Sequence, residues 1–149
     1  MLKITIQIVS AGIITFGFGL LFNIQGKNLI YTSIAGCLSW LCYLLCKKLG
    51  LKDEVSYFLA SVIIGLYSEI IAIKLDIPSN NILIAALIPL APGGGVYYTM
   101  ENLIYKNYSL SLESGIGTFL LAGSMALGVV TAIAILKFYK FIKSWRMYG

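Results

Sequence analysis

The sequence predicts an all-α integral membrane fold: a bundle of about five hydrophobic helices, the fourth broken or re-entrant at a proline- and glycine-rich motif. Three observations predict it. Of the 149 residues, 59% are hydrophobic and only 11% charged, against roughly 25% charged in a soluble domain, and the mean hydropathy is +0.90. The apolar residues gather into stretches of about 20, the length that crosses a hydrocarbon layer of about 30 Å. Sustained two-residue alternation is absent, which argues against barrel strands. A soluble core of this size could not hide so much apolar surface, whereas lipid can. One transmembrane domain over residues 1–149 is therefore expected, with no room for a soluble domain.

The first segment runs from about Ile4 to Phe22. It is longer than a signal-peptide core and no small-x-small cleavage site follows, so a retained helix is expected. Asn23 to Asn28 is a turn. The second segment runs from about Leu29 to Cys46, and Lys47, Lys48, Lys52, Asp53 and Glu54 form a charged loop. The third runs from about Val55 to Ile73, with Pro78 as a stop. The fourth, 81–104, is the broken one. The last covers about 115–138 and continues as a basic aromatic tail, 139–149, with Lys140, Lys143, Trp145, Arg146 and Tyr148. Small residues recur on single faces: Ala11, Thr15 and Gly19; Ser61, Gly65 and Ala72, with Glu69 on the same face; Ser124, Gly128 and Ala132. Such stripes let helix backbones approach closely in lipid.

Composition excludes several functions. The sequence has no His, which removes His-based catalysis and His-ligated metal. Cys37, Cys42 and Cys46 lie in one apolar stretch without a second cluster, so neither a metal site nor disulfides are expected. Nothing calls for a cofactor. The net charge of +5 comes mostly from segment ends, where Lys and Arg snorkel towards anionic lipid. Nucleic acid is not an expected partner; the bilayer is.

The informative stretch is the fourth. Pro89 and Pro92 remove backbone donors and clash with preceding carbonyls, and Gly93, Gly94 and Gly95 impose no conformational restraint. Broken backbone at membrane depth must be covered by protein or face a water-filled cavity. In transporters such breaks set half-helix N-termini beside the solute, so Gly93 to Gly95 are candidate carboxylate-binding amides. The alternative is a loop between two interfacial pieces. Glu69 is the second feature. A charge in mid-bilayer costs roughly 2.5–3.5 kcal/mol or more and usually works in a cavity, making Glu69 a candidate proton carrier; otherwise it lies near the interface and pairs with Lys74. Glu101 is a weaker candidate. Tyr97, Asn23 and Ser61 are candidate hydrogen-bonding residues for a bound solute.

Pro78, the run Ile88-Pro89-Leu90-x-Pro92-Gly93, Tyr97 and Met100 resemble the core signature of the bacterial threonine/serine exporter family. Gly17-Phe18-Gly19-x-x-Phe22-Asn23 resembles its first-helix ending, and Glu69 matches an acidic position common in that family. The resemblance covers nearly the whole chain and fits a short, split-subunit type related to the small subunit of a bacterial succinate exporter. It implies a multi-pass protein of the bacterial inner membrane and secondary export of small amino acids or dicarboxylates. It also implies a larger partner subunit with a soluble domain and a second membrane repeat; a homo-oligomer is the alternative assembly. The family's catalytic-like N-terminal region has no counterpart in this sequence.

Charge counting bears on topology. If the fourth segment crosses, Lys3, Lys47, Lys48, Lys52 and Lys106 share one side, and Lys27, Lys74, Lys137, Lys140, Lys143 and Arg146 the other. Five against six does not orient the chain. If that segment is a hairpin, Lys106 joins Lys27 and Lys74, and the split becomes eight against three, which the positive-inside rule favours. An odd number of spans instead suits an inverted repeat with a similar half.

The function expected is that of a proton-coupled exporter subunit for threonine, serine or dicarboxylates. In it Gly93–Gly95 hold the carboxylate and Glu69 carries a proton or neutralises an ammonium group. The alternative is a non-transporting membrane scaffold that stabilises a partner. An enzyme is not expected, since no nucleophile–base pair is evident.

Overall fold

The computed structural model describes residues 2–148, with side chains for 2–139, 141 and 142. The tail side chains of Lys140, Lys143, Trp145, Arg146 and Tyr148 lie outside the described residues. The elements are α1 (Leu2–Leu21), α2 (Lys27–Lys48), α3 (Asp53–Leu75), α4 (Ser79–Leu87), a 3-10 turn (Ile88–Leu90), α5 (Gly93–Ile104) and α6 (Tyr108–Tyr148). Among the described residues there is no strand. Helix ends fall where the chain can take a left-handed conformation. Gly26 (φ 62°) precedes α2 and Gly50 (φ 78°) follows it. Asp76 caps α3 at φ 53°, its N–H donating to the Ala72 carbonyl, and Pro78 then prevents continuation and starts α4.

The small-residue stripes are contact seams. A Cβ on Gly12 would lie 2.5 Å from Cys37 Sγ, and one on Gly36 would collide with Thr15, so α1 and α2 pack antiparallel with nearly touching backbones. Between α2 and α3, also antiparallel, Tyr43 donates to Asp53 at 3.2 Å and Tyr67 donates to the Tyr31 carbonyl at 3.1 Å. Helix α4 lies on all three, burying Ile82, Ala85 and Ala86 completely, and the core they share includes Ala35, Ala60, Ile64 and Leu90.

The α3–α6 seam bears on the topology. A Cβ on Gly128 would lie 2.5 Å from the Phe58 carbonyl oxygen and 2.8 Å from Ser61 Cβ, whereas one on Gly65 would lie 2.5 Å from Ala132 Cβ. Residue numbers rise together along the seam, so α3 and α6 run parallel. A fourth segment that returned to its own side would make them antiparallel. The parallel packing supports a crossing fourth segment, where the charge count favours a hairpin. Among the described residues four helices are long and apolar enough to span, and the pair Ser79–Leu90 and Gly93–Ile104, bent by 52°, would be a fifth if it crosses as one broken span.

A second difference lies in α6. The hydropathy boundary near Gly115 marks where the apolar run begins, but the helix starts at Tyr108, because Ser109, Ser111, Glu113 and Ser114 lower hydropathy without breaking a helix. With 41 residues, α6 is about 60 Å long, twice the hydrocarbon thickness. Its second half lies on α3. Its first half forms an antiparallel hairpin with α5: Ser111 donates to the Thr99 carbonyl at 2.8 Å and Gly95 abuts Thr118. Among the described residues α5 packs mainly on α6. Ser111 precedes Gly128 by about 25 Å of helix, whereas Asp53 precedes the Phe58–Ser61 level by only about 10 Å. The hairpin thus stands roughly 15 Å beyond the start of α3.

Candidate solute site at the helix break

Helix α4 ends because Pro89 has no N–H for the helical ladder. The chain tightens into the 3-10 turn, closed by Ala91 N–H donating to the Ile88 carbonyl at 3.1 Å. Pro92 stands at the N-terminus of α5, and Gly93 N–H donates to the Ala91 carbonyl at 2.7 Å. The amides of Gly94 and Gly95 fall in the first turn of α5, where a helix has no intrahelical acceptors.

Beside this break lies a groove of about 180 Å³, lined by Ile6, Gln7, Ser10, Ala11 and Ile14 of α1, Trp40 of α2 and Pro89. It sits about one turn from the close Gly12–Cys37 approach, near the middle of both spans. No lining side chain is charged. Its polar groups are the Gln7 amide, the Ser10 hydroxyl and the Trp40 indole. Trp40 Nε1 is buried and has no hydrogen-bond partner among the described residues. Its ring is held by Tyr43, 5.3 Å away between centroids, which rests on Tyr57 at 5.1 Å. An indole N–H without an acceptor in a low-dielectric interior forfeits about 1–3 kcal/mol, which an incoming acceptor would recover. Gln7 and Ser10 give an otherwise apolar, uncharged groove two polar side chains able to donate hydrogen bonds.

The residues named from sequence are dispersed. Pro89 lines the groove. Gly93 and Gly94 are exposed at the start of α5, and Gly95 is half-buried against Thr118. Tyr97 is exposed and donates to Glu101 at 3.3 Å. Asn23 lies in the exposed turn after α1 and accepts from Gln25 Nε2 at 2.9 Å. Ser61 is fully buried on the α3–α6 seam, and its hydroxyl has no hydrogen-bond partner among the described residues. Glu69 is half-buried and accepts from the Ser79 hydroxyl at 2.6 Å, two turns before α3 ends. Gln7, Ser10 and Trp40 were missed, although polar residues inside apolar segments carried the signal. Cys37, Cys42 and Cys46 are free thiols, and no group of three or more metal-ligating side chains occurs among the described residues.

The profile of the family described as Threonine/Serine exporter, ThrE matches residues 7–135, from the groove's Gln7 almost to the end of the described α6 side chains. A curated relative, an uncharacterized protein of Haemophilus influenzae (strain Rd), is 25% identical over 148 residues, covering 94% of this chain and 49% of its own. The chain spans about half the length of that relative. No solved structure matches.

Proposed function

The chain belongs to the threonine/serine exporter family, and on that premise we propose that it is the membrane subunit of a secondary exporter of small carboxylate-bearing solutes in the bacterial inner membrane. Threonine and serine come first and dicarboxylates second. The observation that carries this is the placement of the broken backbone at Pro89 beside an uncharged groove lined by Gln7, Ser10 and Trp40. Irregular backbone at membrane depth is tolerated where it lines such a cavity. Trp40, Gln7 and Ser10 hold the solute carboxylate, and the first-turn amides of Gly94 and Gly95 receive it as it moves along the break. Asn23, Ser61 and Tyr97 belong to conformations in which the helices separate. Glu69, which accepts a hydrogen bond from the Ser79 hydroxyl, carries the coupled proton. A larger family subunit completes the transporter.

The test is efflux of labelled threonine and succinate from vesicles holding the purified chain with its partner, under an imposed pH gradient. Coupled efflux lost in Glu69→Gln and weakened in Trp40→Phe is the expected result. Equal efflux in both variants overturns the site and the coupling together. A scaffold role predicts no counterflow in any variant, including one with Gly94 replaced by Trp.

A further inference from the structure

We propose that Tyr43 is the positioning residue for Trp40. It holds the indole against the groove, so that solute affinity is set in part from the α2–α3 loop by residues that do not line the groove. The proposal rests on the reading of that groove as the solute site. Among the described residues that line it, Trp40 is the only aromatic one and the only one from α2. The place of its ring therefore shapes the α2 wall. No hydrogen bond among the described residues fixes that ring, since Nε1 has no partner there. A long side chain on a helix has two χ1 wells open to it, so something else must choose between them.

A ladder of three rings makes the choice. Tyr43 lies one turn further along α2, on the same face as Trp40, with its ring 5.3 Å away and tilted by 43°. Tyr57 of α3 meets Tyr43 from the other side at 5.1 Å and 67°. Both separations fall in the range of favourable aromatic pairs. All three side chains are partly buried against the shared core, which limits where the Tyr43 ring can go. Its outer end is anchored by charge. The Tyr43 hydroxyl donates to Asp53 Oδ1 at 3.2 Å, and Lys47 Nζ holds the same oxygen at 2.9 Å. Lys47 stands on α2 and Asp53 opens α3, so the anchor bridges two helices. The Lys47 and Asp53 side chains are 40% and 48% exposed, and water screens such a pair, so it adds little stability. Its effect is on where the Tyr43 ring stands, and through that ring on the indole. Tyr43, Tyr57 and Asp53 are absent from the groove wall, so any influence they have on the solute passes through Trp40.

The test pairs binding of labelled threonine by the full-length chain in lipid nanodiscs with a fluorine spectrum of Trp40. The chain has two Trp residues, so Trp145→Phe grown on 5-fluorotryptophan gives a single resonance. Tyr43→Leu is expected to weaken binding roughly threefold to tenfold, the worth of one aromatic pair, and to split or broaden that resonance. Tyr43→Phe and Asp53→Ala cut only the hydroxyl bond and are expected to weaken binding about twofold. Asp53→Asn keeps an acceptor and is expected to match the unsubstituted chain. Asp53→Ala leaves the core intact, so it shifts the Trp40 resonance even where Tyr43→Leu fails to fold. In a chain already carrying Trp40→Leu, Tyr43→Leu is expected to cost no further affinity, because a residue acting through the indole has nothing left to position. The proposal is overturned if Trp40→Leu weakens binding while Tyr43→Leu and Asp53→Ala change neither affinity nor resonance, or if the Tyr43→Leu and Trp40→Leu losses simply add. Threonine binding unmoved by Trp40→Leu removes the groove reading itself, and this proposal with it.

Discussion

Ser79, the first residue of α4, donates a 2.6 Å hydrogen bond to Glu69 near the end of α3, within the range of hydroxyl bonds to a carboxylate. It ties the third span to the start of the broken one across the Asp76–Pro78 turn. Ser79→Ala removes the donor and is expected to cost about 1–2 kcal/mol, read as a lower melting temperature in detergent. Glu69→Gln keeps an oxygen acceptor and is expected to melt near the unsubstituted protein while losing the pH dependence of efflux. Matched melting with unchanged pH dependence would remove Glu69 from coupling.

The α3–α6 seam makes a sharp comparison between two glycines of one helix. A Cβ on Gly128 meets the Phe58 carbonyl at 2.5 Å, whereas one on Gly123 meets nothing within 4 Å. Gly128→Ala is expected to destabilise by about 2–3 kcal/mol through overpacking. Gly123→Ala is expected to be neutral or stabilising by up to about 1 kcal/mol through helix propensity. Unfolding by steric trapping in bicelles measures both, and equal effects would contradict the parallel packing.

Parallel packing predicts that Asn80 and Asn107 lie on opposite sides of the membrane. Single cysteines there, in a chain without its native cysteines, should react with an impermeant maleimide from opposite faces of oriented vesicles. Labelling of both from one face would restore the hairpin topology.

In the groove, Trp40 reports on its own ligand. With Trp145 replaced by Phe, threonine is expected to shift Trp40 emission saturably. Gln7→Leu should weaken binding by roughly tenfold, the loss of one hydrogen bond to a charged group. An emission spectrum indifferent to threonine, serine and succinate would empty the groove of its assigned role.

How much of this was legible beforehand depended on range. Pro89, Pro92 and the three glycines announced the break, because chain chemistry within a few residues decides it. The solute groove was not legible, because Gln7, Trp40 and Pro89 meet only after α1, α2 and α4 have packed, and no local periodicity encodes that meeting. Ser61 looked polar and available, yet its position opposite Gly128 makes it part of a tight seam. Charge counting gave the fourth segment a weak signal because a single residue, Lys106, carried the decision, whereas the order of contacts along α3 and α6 draws on steric fit at several positions.

Helix α6 is one unbroken rod that packs on α3 in one half and carries the hairpin in the other. A tilt of about 10° pivoting at Gly128 displaces Tyr108, about 30 Å away, by roughly 5 Å. Such a lever magnifies small movements on one side of the bilayer into large ones on the other. The glycine seam is its fulcrum, and whatever clamps the hairpin limits how far the third span can rock.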